Sequence, residues 1–208
     1  MKALVVVDVQ NDFCPGGALA VPQGDRVVPI VNGLMPRFDL VVAAQDWHPA
    51  DHGSFAANHP DRRPGEVIDL DGLEQVLWPV HCVQGTAGAE LHPDLNQAGI
   101  TRVFRKGTER NVDSYSGFFD NGHRKATGLG DYLLQQGVTG VYVCGLATDY
   151  CVKATALDAL ELGFATCLIE DACRGVDLSP GDVERAITQM TEAGVRVVKS
   201  IEVRGESK

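Results

Sequence analysis

Cys151 closes the run Cys144-Gly145-Leu146-Ala147-Thr148-Asp149-Tyr150-Cys151, which reads as a strand end leading into the first turn of a helix. A thiol in that place feels the positive end of the helix dipole, which lowers its pKa below the free value of about 8.5 and makes it a nucleophile. The competing account is a buried core cysteine, the common fate of this residue type, and Cys14, Cys82, Cys144, Cys167 and Cys173 take it. Cys14 and Cys82 neighbour other reactive motifs and are candidates to line a pocket. Asp8 ends the apolar run Ala3-Leu4-Val5-Val6-Val7, where a carboxylate is costly to bury unless it is paired or hydrogen-bonded. Its plainer role is to cap the turn that follows. Lys106 stands at another strand end, in Phe104-Arg105-Lys106-Gly107, and would otherwise be a solvated surface lysine. Asp8, Lys106 and Cys151 together form a candidate nucleophilic triad: the carboxylate takes the thiol proton, and the ammonium holds the geometry and favours the anion.

A second constellation is built on histidine. Asp46 and His48 share one side of an extended segment, because residues two apart in a strand point the same way. His52 follows shortly after, and His81 arrives in Trp78-Pro79-Val80-His81-Cys82. One carboxylate with two or three imidazoles suits a borderline divalent ion such as Zn²⁺, Mn²⁺ or Fe²⁺. The alternative is that these histidines are exposed loop residues, and His59, His92 and His123 are left with that assignment.

The elements that must position these groups are a set of parallel strands. Ala3–Val9, Leu40–Gln45, Arg102–Arg105, Gly140–Cys144, Ala165–Glu170 and Val195–Lys199 are short runs, mostly apolar on both faces, and they alternate with helical patterns. Such strands belong in a parallel sheet covered on both sides. The predicted helices are Arg26–Arg37, Leu129–Gln136, Asp149–Leu162 and Pro180–Ala193, with Gly137, Gly163 and Gly194 placed to stop three of them. Ligands of an open parallel sheet bind beyond the carboxyl ends of its strands, which is where Asp8, Asp46, Lys106 and Cys151 fall. The stretch Trp47–Leu95 breaks the rhythm and reads as a long functional loop, with Asn111–Lys125 as a shorter one; both would lie over the sheet.

The whole chain reads as one domain, residues 1–208. Lys and Arg number 18 against 28 Asp and Glu, a net charge of −10, which excludes a general nucleic-acid binder. Hydrophobic residues make up 44% of the chain, enough for one good core and too many for disorder. Asp8 interrupts the N-terminal apolar run, so it is a strand and not a leader. No apolar run approaches the ~18 residues of a membrane helix, and the expectation is a cytoplasmic protein with no membrane partner. The six cysteines form no CxxC pair and are expected to be reduced thiols. A homo-oligomer is left open.

Val7-Asp8-Val9-Gln10-Asn11-Asp12-Phe13, Gln45-Asp46-Trp47-His48-Pro49, Trp78-Pro79-Val80-His81-Cys82, Phe104-Arg105-Lys106-Gly107 and Gly145 through Cys151 occur in one order along the chain. In this the sequence resembles the nicotinamidases of the isochorismatase-like cysteine hydrolases. The resemblance implies a three-layer α/β sandwich around a mainly parallel sheet of about six strands. It also implies hydrolysis of nicotinamide to nicotinate and ammonia, a salvage step toward NAD, with pyrazinamide as a related substrate. By resemblance, Asp8, Lys106 and Cys151 are the triad, and Asp46, His48 and His81 bind one divalent ion, zinc first, with iron or manganese as alternatives. His52 matches a fourth ligand of some members. Backbone N–H groups of Ala147 and Cys151 would form the oxyanion hole beside a cis peptide between Leu146 and Ala147. Phe13, Trp78 and Tyr115 match aromatic positions around the ring. The alternatives are another amidohydrolase or isochorismatase-type hydrolase of the same superfamily, which generally lacks the metal set, and a non-catalytic ligand-binding relative.

Overall fold

Six apolar runs assemble into one sheet in the computed structural model, which describes residues 1–204. In chain order the elements are β1 (Lys2–Val7), α1 (Val27–Leu34), β2 (Leu40–Asp46), β3 (Val67–Leu70), β4 (Leu73–Val76), β5 (Arg102–Lys106), α2 (Leu129–Gln135), β6 (Gly140–Leu146), α3 (Lys153–Glu161), β7 (Ala165–Arg174), α4 (Asp182–Ala193) and β8 (Arg196–Val198). The main sheet runs β5-β2-β1-β6-β7-β8, and every pairing in it is parallel. Helices surround it, as the two-faced apolar strands require. β1 is the centre of the core: Ala3 through Val7 are wholly buried.

This topology decides where chemistry can occur. From β1 the chain builds outward through β2 to β5, then crosses back to place β6 on the other side of β1. A crevice opens at such a reversal, outside the carboxyl ends of the strands. The register brings those ends level, with Val7 opposite both Ala44 and Gly145 and with Asp46 opposite Lys106. β1 and β6 approach so closely there that a Cβ on Gly145 would lie 2.1 Å from the Val7 carbonyl oxygen.

Several elements differ from their sequence-based bounds. β1 stops at Val7, because Asp8 turns into the left-handed region at φ +51°. Arg26–Arg37 is a shorter α-helix flanked by 3₁₀ turns, the second one holding Pro36, which lacks an N–H. β7 runs on to Arg174 through an irregular register against β6. The segment Trp47–Leu95 is not structureless: β3 and β4 form an antiparallel hairpin inside it. The helix expected from Asp149 begins as a π-helical turn over Thr148–Val152, with regular helix only from Lys153.

Candidate active site

Lys106 is the hub of the strand ends. Its side chain is fully buried and lies 2.9 Å from Asp8 Oδ2 and 2.6 Å from Asp46 Oδ1. The ammonium donates to the Ser114 carbonyl at 2.8 Å and reaches Cys151 Sγ at 3.4 Å. One ligating atom from each of Asp8, Asp46 and Cys151 lies within 4.8 Å of the others. The three triad candidates, separated widely along the chain, therefore meet around one buried cation. A lysine can stay charged there only because two carboxylates surround it: burial opposes its charge, but Asp46 and Asp8 lift its pKa well above the ordinary lysine value.

The two carboxylates respond differently. Burial raises the Asp8 carboxyl to about 7, with Asp46 adding to the rise and Lys106 resisting it. Burial also opposes the charge of Asp46, but Lys106 and His48 outweigh it and hold that carboxyl well below the usual range. The site thus contains one permanent anion and one carboxyl poised near neutrality, the separation that acid–base chemistry uses. Cys151 corrects the sequence-based expectation. Its pKa is raised well above the ordinary thiol value, because burial outweighs Lys106 and the neighbouring Asp8 and Asp46 add to the rise. The resting group is a thiol, and it needs a base.

Asp46 faces a second set of groups with its other oxygen. Oδ2 lies 3.5 Å from His48 Nε2 and 3.8 Å from His81 Nε2. The opposite ring nitrogens are both committed: His48 Nδ1 donates to the Gly107 carbonyl at 2.8 Å, and His81 Nδ1 donates to the Pro79 carbonyl at 2.8 Å. Those bonds set the tautomers of the neutral rings and turn each Nε2 toward Asp46, an arrangement characteristic of metal-ligating histidines. His48 Nε2 is buried and has no hydrogen-bond partner. The donor set Asp46, His48 and His81 therefore fits a divalent cation. Burial disfavours charge on both rings, yet Asp46 lifts His48 to about 8, while His81 falls to about 4 under burial and the charge of His48. Gly107 is required for this packing, since a Cβ there would lie 2.3 Å from the His48 ring.

His52 stands apart from that trio. It groups with His48 and Asp113, its ring 4.3 Å from that of His48. Its Nδ1 is engaged by Ser54 Oγ at 2.7 Å, and Nε2 faces the Val112 carbonyl at 3.3 Å. His59 is also partnered rather than a free loop residue, through a 2.7 Å bond from Nε2 to the Gly53 carbonyl.

Between the two constellations lies a small, partly open cavity, walled by Asp46, His81, Ala147 and Cys151 together with aromatic rings. Phe13, Trp78 and Tyr115 all line it, as their motif positions imply, and so does Tyr150. Trp78 packs edge-on against Tyr150 at 4.9 Å, and Tyr115 does the same at 5.6 Å. Among the described residues Cys151 is the cysteine in the wall; Cys14 and Cys82 are buried in the core outside it. At the β6 end the Leu146–Ala147 peptide is cis, and the Ala147 carbonyl accepts N–H bonds from Tyr150 at 3.1 Å and from Val152 at 3.0 Å. The second spans five residues and is what makes the turn π-helical.

Some contributors escaped the sequence reading. Gln10 braces Asp46: its Nε2 donates to the Asp46 carbonyl at 2.9 Å, and its Oε1 accepts the Asp46 N–H at 2.8 Å. Gln75, on the unpredicted hairpin, donates to Tyr115 Oη and to Asp113 Oδ2, both at 3.1 Å, while Trp78 Nε1 also donates to Tyr115 Oη at 3.2 Å. Gln10 lay inside a quoted motif; nothing in its spacing signalled the bracing.

Comparison with known proteins agrees with this architecture. Residues 2–202 match the model of the isochorismatase domain. The chain is 53% identical over 199 residues to a nicotinamidase of Escherichia coli strain K12, covering 93% of this chain and 92% of that protein. Among solved structures it superposes on an Acinetobacter baumanii nicotinamidase and pyrazinamidase with a TM-score of 0.94 at 52% identity, covering 97% of each chain. A pyrazinamidase of Pyrococcus horikoshii, solved in complex with zinc, gives a TM-score of 0.77 at 42% identity over 95% of this chain and 98% of that one. The match takes in nearly all the described residues, so the chain belongs to the isochorismatase domain family, where the relatives it resembles include nicotinamidases.

Proposed function

We propose that this chain is a metal-dependent nicotinamidase, releasing ammonia from nicotinamide through a thioester on Cys151, with Asp8 as general base and acid. The observation that carries the reading is the buried Lys106 ammonium, held by Asp8 and Asp46 and 3.4 Å from the Cys151 sulfur at a cavity that also receives His81. Support for the substrate comes from the nicotinamidases that the chain resembles. Ring stacking on Phe13, Trp78, Tyr115 and Tyr150 suits a flat heteroaromatic amide.

In this mechanism ionised Asp8 takes the thiol proton as sulfur attacks the carboxamide carbon. Lys106 keeps its charge throughout and offsets the developing negative charge near sulfur. Backbone N–H groups of Ala147 and Cys151 hold the tetrahedral oxyanion in a site from which water is largely excluded. Protonated Asp8 then gives its proton to the departing nitrogen, so ammonia leaves and the acyl group stays on sulfur. Asp8, again a carboxylate, draws a proton from water as it opens the thioester, and nicotinate and the free thiol result. Asp46, His48 and His81 are the ligands proposed for one divalent ion, zinc by donor set and by the zinc-bound relative, which when bound supplies a Lewis-acidic site for the pyridine nitrogen. His52 is assigned to packing the His48 ring rather than to that ion. The unpaired thiols fit a reducing, cytoplasmic setting and a role in NAD salvage, and no described helix is long and apolar enough to cross a membrane.

The test is ammonia release from nicotinamide, pyrazinamide and a few aliphatic amides. Turnover of both ring amides with little release from the aliphatic ones is expected. Preference for an aliphatic amide, or no release from nicotinamide by metal-loaded protein, would refute the assignment.

A further inference from the structure

Away from the cavity, three ligating groups converge where the loop after β5 crosses the end of α3. Asp158 and Glu161 are three residues apart on α3 and share a face, and His123 comes from the loop. One ligating atom of each lies within 4.8 Å of the other two. His123 Nε2 stands 3.3 Å from Asp158 Oδ1. That is the edge length of a tetrahedron whose corners lie about 2.0–2.1 Å from its centre, the usual zinc distance for nitrogen and oxygen ligands.

Two further observations point to a cation site. Asp158 is only 8% exposed and its Oδ2 is buried without a direct hydrogen bond among the described residues, so the Ser116 hydroxyl and the half-exposed His123 ring are what resist the rise that burial imposes on its carboxyl. A carboxylate so withdrawn from water calls for a positive partner. Both acids also lie in the last turn of α3, at the negative end of its dipole, where that turn has no basic residue. The histidine is set in place beforehand: its N–H donates to the Asp120 carbonyl at 2.9 Å, and its ring stacks on Phe119 at 4.8 Å. Its side chain is 48% exposed, which leaves room for water to complete a coordination shell.

We propose that His123, Asp158 and Glu161 form a second divalent-cation site, separate from the Asp46 trio and suited to zinc-like ions that accept one imidazole and two carboxylates. Such an ion clips the loop to α3. The same loop carries Tyr115 into the cavity wall, tied to it through Asn121, which accepts the Tyr115 N–H at 2.9 Å and donates its own N–H to the Asp113 carbonyl at 2.8 Å. It already touches α3 through the Gly117 N–H bond to Thr155 Oγ1 at 2.9 Å. A cation here therefore steadies one wall of the substrate cavity from outside it.

The experiment titrates Zn²⁺ into the metal-loaded protein and measures bound metal after equilibrium dialysis, with melting temperature followed in parallel. His123→Ala and Glu161→Gln alter exposed side chains, so folding is not at risk. Wild-type protein should bind one equivalent that both variants lose, and excess Zn²⁺ should raise the melting temperature of wild type but not of His123→Ala. His48→Ala serves as the counterpart: it should keep the His123-dependent equivalent, whatever becomes of the active-site ion. Stoichiometry and melting behaviour unchanged by His123→Ala would overturn the proposal, and so would loss of that equivalent in His48→Ala.

Discussion

Asp8→Asn should stabilise the fold while removing the base. Burial, with Asp46 adding, carries the Asp8 carboxyl from 3.8 to about 7 in the folded protein in spite of Lys106. A carboxyl whose folded pKa is raised binds its proton more tightly when folded, so its contribution to stability is complete below about pH 4 and is lost as pH climbs through about 7. At ~1.4 kcal/mol per pH unit, the gap between 3.8 and about 7 makes the ionised group a burden of roughly 4 kcal/mol at pH 8, and under half of that at pH 5. Asparagine has the same shape and no charge to bury. It also tolerates the left-handed backbone at this position, φ +51°. Lys106 would still be held by Asp46 and the Ser114 carbonyl. Urea denaturation of metal-free protein should therefore show Asp8→Asn more stable than wild type, by an amount that grows from pH 5 to pH 8, while ammonia release by the metal-loaded variant disappears because an amide takes no thiol proton. A variant equally or less stable at both pH values, or one that still turns over, would refute the account of Asp8 as a strained, poised base.

Four other outcomes follow from the same geometry. Cys151→Ala should abolish ammonia release with the far-UV circular dichroism unchanged. His48→Ala should lose active-site metal by elemental analysis and with it turnover, because it deletes one of three donors. For wild type, kcat/KM should fall as pH drops below about 7, where Asp8 takes up its proton and ceases to be a base; a profile flat down to pH 5 would contradict the assignment. Gly107→Ala should weaken metal binding by displacing the His48 ring, which a Cβ would approach at 2.3 Å in a backbone conformation of φ +61°; metal affinity equal to wild type would show that the ring can give way.

What was legible in the sequence was whatever broke a pattern. Asp8 and Lys106 stand out because they are charges at the ends of buried strands, and the parallel register then brings those ends together without further information. The β3–β4 hairpin was invisible for the opposite reason. It packs little into the core: Val67 is 50% exposed, and Gln75, a polar residue, is its most buried side chain. Its role depends on hydrogen bonds from Gln75 to Tyr115 and Asp113, pairings that periodicity does not encode. The π-helical turn at Cys151 likewise has no compositional mark. The direction of the Cys151 shift was misjudged because a local argument, the helix dipole, was set against a burial that only the folded chain reveals.

The two constellations that the sequence presents separately share one side chain. Asp46 gives Oδ1 to the Lys106 ammonium and turns Oδ2 toward His48 and His81, so a single carboxylate neutralises both sides. Its backbone is fixed by Gln10 at both N–H and carbonyl, which leaves it little freedom to favour one neighbour over the other. Any change that weakens the pull of the histidine side on Asp46 leaves more of its charge for Lys106, and so alters the field at Asp8 and Cys151 as well. Metal ligation and nucleophile activation should therefore be non-additive. In a cycle of His48→Ala, Asp8→Asn and the double variant, scored by stability, the two changes should couple through Lys106 and Asp46 even though His48 and Asp8 are brought together by neither a hydrogen bond nor an ion pair among the described residues. Strict additivity in that cycle would mean that Asp46 insulates the two sides rather than joining them.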